Sequence, residues 1–179
     1  MNNKEKILQT ALSLFAEQGY DRTPTSQIAR EAGVSEGLIF RHFGNKAGLL
    51  TAIIGQGLAL IAESMQPYGH TGVGPKEAIA QHIERSFRLM RSHESFWRLA
   101  HKVRFQSAVQ DVAAAQLEEV NAFILGNLTD NFEKAGAPRP DLEALLLFAL
   151  IDAVTLHYLA DPARYPLDAM QSLLLDRYR

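Results

Sequence analysis

The chain has 179 residues, 47% of them hydrophobic, 8% aromatic and 21% charged, with 18 Lys+Arg against 20 Asp+Glu and no cysteine. That length and apolar content suit one or two compact domains with a sizeable core, and they exclude a disordered or low-complexity chain. The missing cysteines exclude a disulfide framework, a thiol nucleophile and any Cys-ligated zinc or iron–sulfur centre, while a net charge of −2 at first argues against nucleic acid as the partner.

Apolar residues recur at helical spacing throughout, and strict alternation nowhere runs between turn signals, so the fold is expected to be all-α. The polar start from Met1 to Lys6 has none of the apolar continuity of a secretory signal, and the longest apolar run, Ala144 to Ile151, is too short to span a bilayer. A cytoplasmic protein with no membrane partner is expected.

In chain order, Ile7, Leu8, Ala11, Leu12, Leu14 and Phe15 mark a first helix from Asn3 to Gln18, stopped by Gly19. Thr23 is placed to cap a short second helix with Pro24 at its first position and Ile28-Ala29 facing inward, until Gly33 breaks it. Ser35 is the expected cap of a third helix, in which Ile39 and Phe43 form an inward i,i+4 pair and Gly44 closes the element. The tight Gly33-Val34-Ser35 link between two short helices is what a helix-turn-helix requires.

Asn45 then caps a long fourth helix reaching about Gln66, and the Pro67 to Pro75 stretch, with two prolines and three glycines, reads as a loop. Helices follow over Lys76 to His93, Ser95 to Val109, Asp111 to Ala135, Asp141 to Leu159 and Leu167 to about Tyr178. About nine helices result, three small ones followed by a larger bundle. The eighth is apolar nearly all round, and the ninth places Leu167, Met170, Leu174 and Tyr178 on one face.

Gln27 to Lys46, with Phe15-Ala16-Glu17-Gln18-Gly19-Tyr20 before it and Leu49-Leu50 after it, closely resembles the DNA-binding domain of the tetracycline-repressor-like (TetR) family. Leu150 to Pro162 with Tyr165-Pro166-Leu167 is similar to the last two helices of that family's regulatory domain. The resemblance implies a helix-turn-helix DNA-binding domain over residues 1–46 and an effector-binding and dimerisation domain over 47–179. It also implies a homodimeric, ligand-responsive transcriptional regulator, most often a repressor, that binds a pseudo-palindromic double-stranded DNA operator. A small helical enzyme is the rival class, but no Ser/His/acid order is marked and the histidines are scattered; the other alternative is a helix-turn-helix regulator whose bundle binds a protein partner and has no small-molecule pocket.

A recognition helix must turn small or polar residues toward base edges while its other face is anchored. With Ile39 and Phe43 inward, Glu36, Gly37, Phe40 and Arg41 are left as candidate base contacts. Arg41 suits guanine O6/N7, Glu36 the cytosine amino group, and Phe40 a thymine methyl, while Gly37 removes side-chain bulk. By resemblance, Thr25, Ser35, His42 and Lys46 match the backbone-contacting positions, Lys46 lying beside the N-terminus of the fourth helix. Phe40 departs from the family's usual tyrosine, so the phenolic hydroxyl and its phosphate bond are lost.

In the bundle, Phe87, Trp97, His101, Phe105, Phe123 and Tyr158 are candidates to line an effector pocket for an unidentified small molecule, with plain core as the alternative. Leu150, Val154, His157, Leu167, Met170 and Leu174 are the candidates for a two-fold interface between the last two helices. His93 and His101 lie two turns apart on one helix face and cannot both ligate one ion without bending, so neither a metal nor a cofactor is expected. The basic stretch from Arg85 to Arg104 and the acidic one from Asp111 to Asp152 are expected to form solvated, mutually paired faces. Gly55 and Gly57 inside the fourth helix imply either close packing or a bend, and a flexible point in the coupling path is the expectation.

Divided, the charge reads differently: residues 1–50 carry six Lys+Arg and five Asp+Glu, and the remainder twelve against fifteen. The acidity belongs to the bundle, so geometry and two-fold pairing are expected to carry DNA binding more than bulk attraction.

Overall fold

A computed structural model of the chain describes residues 2–65, 72–103 and 107–178, with side chains described outside 63–65 and 107–116. The described residues form nine α-helices and no strand: α1 Asn3–Gln18, α2 Thr25–Ala32, α3 Glu36–Phe43, α4 Lys46–Met65, α5 Pro75–Ser92, α6 Glu94–Val103, α7 Ser107–Lys134, α8 Pro140–Ala160 and α9 Leu167–Tyr178. They cluster into two compact units, Met1–Ala59 with Glu94–Leu117 and Leu60–His93 with Glu118–Arg179. The first unit thus contains the whole 1–46 stretch expected to read DNA, and adds the start of α4, all of α6 and the start of α7.

The start of α1 is fixed by a capping box. Asn2 Oδ1 accepts from the Glu5 amide at 2.9 Å, and the Glu5 carboxylate accepts from the Asn2 amide at 2.9 Å. Its buried stripe, Ile7, Leu8, Ala11, Leu14 and Phe15, joins Ile28, Ala29 and Ile39 of the next two helices in being wholly or almost wholly removed from water. Phe15 also meets Tyr20 edge-on, with ring centroids 5.2 Å apart.

Thr23 does not cap α2. Pro24 occupies the cap position with an extended backbone, and the fully buried Thr23 hydroxyl turns back to donate to the Gly19 carbonyl at 2.9 Å. The orphan carbonyls at the end of α1 attract that hydroxyl. Asn45 does cap α4, its Oδ1 accepting from the Gly48 amide at 2.8 Å.

Gly57 is a packing position. It lies within the unbroken α4, and a Cβ there would fall inside the ring of Phe96 from α6, itself almost fully buried. Gly48, unremarked in the sequence, is constrained harder: a Cβ there would collide with the backbone carbonyl of Phe43 at the α3–α4 corner.

In the second unit, Ile79, Ile83, Phe87 and Met90 of α5 pack with Leu128 and Phe132 of α7, Ala144, Leu147 and Val154 of α8, and Leu167, Leu174 and Tyr178 of α9. By length and composition alone α8 is apolar enough to cross a membrane, yet it contributes to this core along one side only. Its other side leaves Leu142, Leu145, Leu146 and Leu156 exposed, as α9 leaves Leu173. His82 on α5 is 4% exposed, and burial, reinforced by the nearby Arg85 charge, lowers its pKa from 6.5 to about 4.

The basic stretch finds its own partners. Arg91 pairs with Asp168 and donates to Gln171 Oε1 of α9 at 3.1 Å, and Arg98 pairs with Glu94 one turn earlier at 2.6 Å. Arg104 lies outside the described residues.

Alanine in place of either tight glycine gains about 1 kcal/mol of helix propensity, whereas forcing extra volume into a packed site costs about 1–3 kcal/mol. Gly48→Ala is expected to lower the urea midpoint more than Gly57→Ala, because a backbone carbonyl cannot swing aside as a ring can; stabilisation by both would refute the packing account. His82 stays neutral in the fold but becomes charged in the unfolded chain below about pH 6.5. Stability is therefore complete above that pH and falls as pH drops toward 4, by on the order of 3 kcal/mol in all. Urea unfolding at pH 7 and pH 5 should show a loss in the wild type that is smaller in His82→Gln.

Candidate nucleic-acid interface

The helix-turn-helix is set by local chemistry at both ends of α3. Gly33 takes the left-handed conformation (φ 67°, ψ 36°) that ends α2, and its amide and that of Val34 return to α2 carbonyls. Gly44 at φ 76° ends α3, its amide donating to Phe40 O at 2.8 Å. Between them Ile39 is fully buried and Phe43 half-buried, so the anchor expected from the i,i+4 pair is present.

The outward face of α3 carries Gly37, Phe40, Arg41 and His42, all exposed, with Phe40 at 45%. Arg41 has no hydrogen bond or ion pair among the described residues, and the His42 ring lies against Phe43 with centroids 5.9 Å apart. Gly37 has no positive φ, and apart from its chain neighbours and the backbone of its own helix no atom lies within 4 Å of where its Cβ would stand. The fold itself therefore does not require glycine there. What the small residue provides is open space on the side facing away from the core.

Glu36 is set differently. It is half-buried and accepts from the Thr25 hydroxyl at 2.5 Å, so a candidate base contact and a candidate phosphate contact hold each other across the first turns of α2 and α3. Ser35 occupies the cap position of α3 without a side-chain bond to the helix, so its exposed hydroxyl stays available to an acceptor. Lys46 stands at the first turn of α4 with Nζ 4.4 Å from the Tyr20 ring centroid and 3.4 Å from the Asp21 carbonyl. Partial burial lowers its pKa, against the opposing pull of Asp21. Tyr20 was missed as a partner of Lys46, since no local spacing links positions 26 residues apart.

Residues 7–53 match the family model for bacterial regulatory proteins, tetR family. That match covers about a quarter of the chain, all of it within the first unit. An uncharacterized HTH-type transcriptional regulator, YerO, of Bacillus subtilis (strain 168) is 32% identical over 95 residues, covering 52% of this chain and 33% of that protein, so the match spans about a third of the relative. Among solved structures, the fold is similar to the transcriptional regulator FadR from Bacillus subtilis in complex with stearoyl-CoA, with TM-score 0.82, 22% identity and 96% and 95% of the two chains covered. It is likewise similar to a transcriptional regulator from Saccharomonospora viridis in complex with choline, with TM-score 0.77, 24% identity and 97% and 93% covered. These relatives and structural neighbours are transcriptional regulators.

The expected pocket and interface residues are placed unevenly. Trp97 and His101 are half-buried in the first unit; in the second, Phe87 is fully buried in the core, Tyr158 packs against it and Phe123 is 46% exposed. Phe105 lies outside the described residues. Of the expected dimer contacts, Val154, Leu167 and Leu174 are buried in the second unit's own core and Leu150 and Met170 pack against it, leaving only His157 exposed. Helical spacing had grouped them correctly on shared faces, but those faces turn inward to α5 and α7.

Arg41→Ala is expected to cost about 1–3 kcal/mol of DNA affinity and relax preference at one base pair, measured by binding to a panel of singly substituted sites. An equal loss on every sequence would make Arg41 a phosphate contact.

Proposed function

We propose that this chain is a TetR-family transcriptional regulator, an effector-responsive repressor that binds a pseudo-palindromic operator as a homodimer. Residues 1–46 form its reading domain, and 47–179 serve effector binding and dimerisation. The observation that carries the reading is the outward face of α3, where Gly37, Phe40 and Arg41 stand clear of protein while Ile39 fixes the helix from behind. In this reading Arg41, Phe40, Gly37 and Glu36 address bases, Glu36 from a position set by Thr25. Thr25, Ser35, His42 and Lys46 address the phosphates that fix register.

The dimer contact is reassigned to the uncovered side of α8. Leu142, Leu146, Ala149, Ala153, Leu156 and Ala160 recur at alternating spacings of four and three and are all exposed, Leu145 lies beside them, and Leu173 of α9 is 61% exposed. That is the heptad spacing by which helices pair, with two alanines that permit close approach at the centre. Paired protomers present two reading helices to half-sites about one DNA turn apart, or a multiple of it.

Small-molecule control is supported by the stearoyl-CoA and choline held by the two structural neighbours. Long-chain acyl-CoA and quaternary ammonium compounds are accordingly the first to test, through quenching of the sole tryptophan, Trp97, together with release from DNA.

Selection from a randomised duplex pool followed by footprinting should return a two-fold symmetric site. The double variant Leu145→Asp/Leu156→Asp is expected to sediment as a folded monomer and to lose at least about 100-fold in affinity for that site, because one reading helix then binds alone. A wild-type monomer that binds a single asymmetric half-site would overturn the homodimer.

A further inference from the structure

A helix leaves its last four carbonyls without partners, and α1 has no basic residue in its own last turn. Even so, the carbonyls around its end are supplied. The Gly19 amide donates to Phe15 O at 3.1 Å, Arg22 Nε to Gln18 O at 2.9 Å, the Thr23 hydroxyl to Gly19 O at 2.9 Å, and Lys46 Nζ to Asp21 O at 3.4 Å. Ala16 O and Glu17 O are supplied by one side chain from far along the chain: Lys102 Nζ of α6 donates to the first in a short contact and to the second at 3.2 Å.

Lys102 lies 86 residues beyond Ala16, whereas Arg22, Thr23 and Lys46 all belong to the first 46. The same α6 inserts Phe96 against Gly57 of α4. One ten-residue helix therefore grips both α1 and α4, the two helices that flank α2 and α3 in sequence. Six residues after Gln18 the chain is already at the cap of α2, so the end of α1 is the base on which the reading pair stands.

We propose that Lys102 is a positioning residue for DNA binding: by supplying the Ala16 and Glu17 carbonyls it fixes the C-terminal end of α1, and through it the setting of α2 and α3, without touching DNA. The proposal rests on α3 being the DNA-reading helix. It makes the functional reading head larger than the helix-turn-helix, with α6 as a part of it.

The test uses the full chain and the site that the wild type selects from a randomised duplex pool, at a temperature where circular dichroism shows every variant folded. Lys102→Met, which keeps the apolar stem and removes the donors, is expected to bind that site about tenfold more weakly. The identity of the preferred base at each position and the slope of log affinity against log salt should be unchanged, because no base or phosphate contact is removed, while discrimination against random-sequence DNA falls by the same tenfold. Affinity for random-sequence DNA should also be unchanged, and amide exchange should rise over residues 18–25. Lys102→Arg should restore binding to within about threefold, since it returns a cation to the same carbonyls. If Lys102→Met does not fold, Lys102→Gln replaces it with the same expected pattern.

Wild-type affinity in the folded variant, alongside weakened binding by Arg41→Ala, would overturn the role of Lys102 and leave the reading of α3 intact. A shallower salt slope with equal losses on all DNA would make Lys102 a phosphate contact and overturn it as well. If wild-type protein selects no sequence at all, the assignment of α3 fails first and the proposal falls with it.

Discussion

An eight-residue helix cannot hold itself together in water, because isolated helices shorter than about 12–15 residues are marginal even with good sequences. In α3 the burden falls on Ile39, the one residue of that helix wholly removed from solvent. Everything that makes the outward face of α3 usable follows from that anchorage. Phe15 and Ile28 bury alongside it, Gly33 in the left-handed conformation and Gly44 in another positive-φ conformation bring the chain in and out within a few residues, and the rest of the helix is left free of packing duties.

The glycines show how differently one residue type is used across a single unit. Gly33 supplies a backbone conformation. Gly48 and Gly57 supply space, the first for a carbonyl at the α3–α4 corner and the second for the Phe96 ring. Gly37 answers to neither need, since its backbone is ordinary and its surroundings are empty. A residue that costs about 1 kcal/mol relative to alanine in a helix interior, with no internal reason, points outward for its explanation.

Most of the fold was legible because it is written in local periodicity and punctuation. The start and end of α1 and α9 fall where spacing and stop signals put them, and the Gly33-Val34-Ser35 link is where the turn is. What was not legible is what covers each face. Leu167, Met170 and Leu174 do share one side of α9, but period alone cannot say whether α5 or another protomer lies against it: Leu167 and Leu174 are in the second unit's core, and Met170 packs against it. Thr23 before a proline reads as a cap, and only the nearness of the Gly19 carbonyl shows where its hydroxyl goes. Lys102 and Tyr20 left no trace at all, since their partners lie 86 and 26 residues away. In the reading region, Arg41 and Phe40 are as exposed as expected, while the Thr25–Glu36 bond joins two residues that had been assigned separate duties.

That bond places a carboxylate at the leading turn of α3 and holds it there with a hydroxyl. Phosphates crowd any duplex, and a fixed negative charge beside the reading face adds repulsion to every encounter. A correctly placed amino group offsets it, and the wrong sequence does not. With only one net positive charge, the first fifty residues offer a duplex little bulk attraction. In the proposed reading, the time spent at a site is then set by whether the bases answer Glu36 and Arg41 rather than by attraction to the backbone.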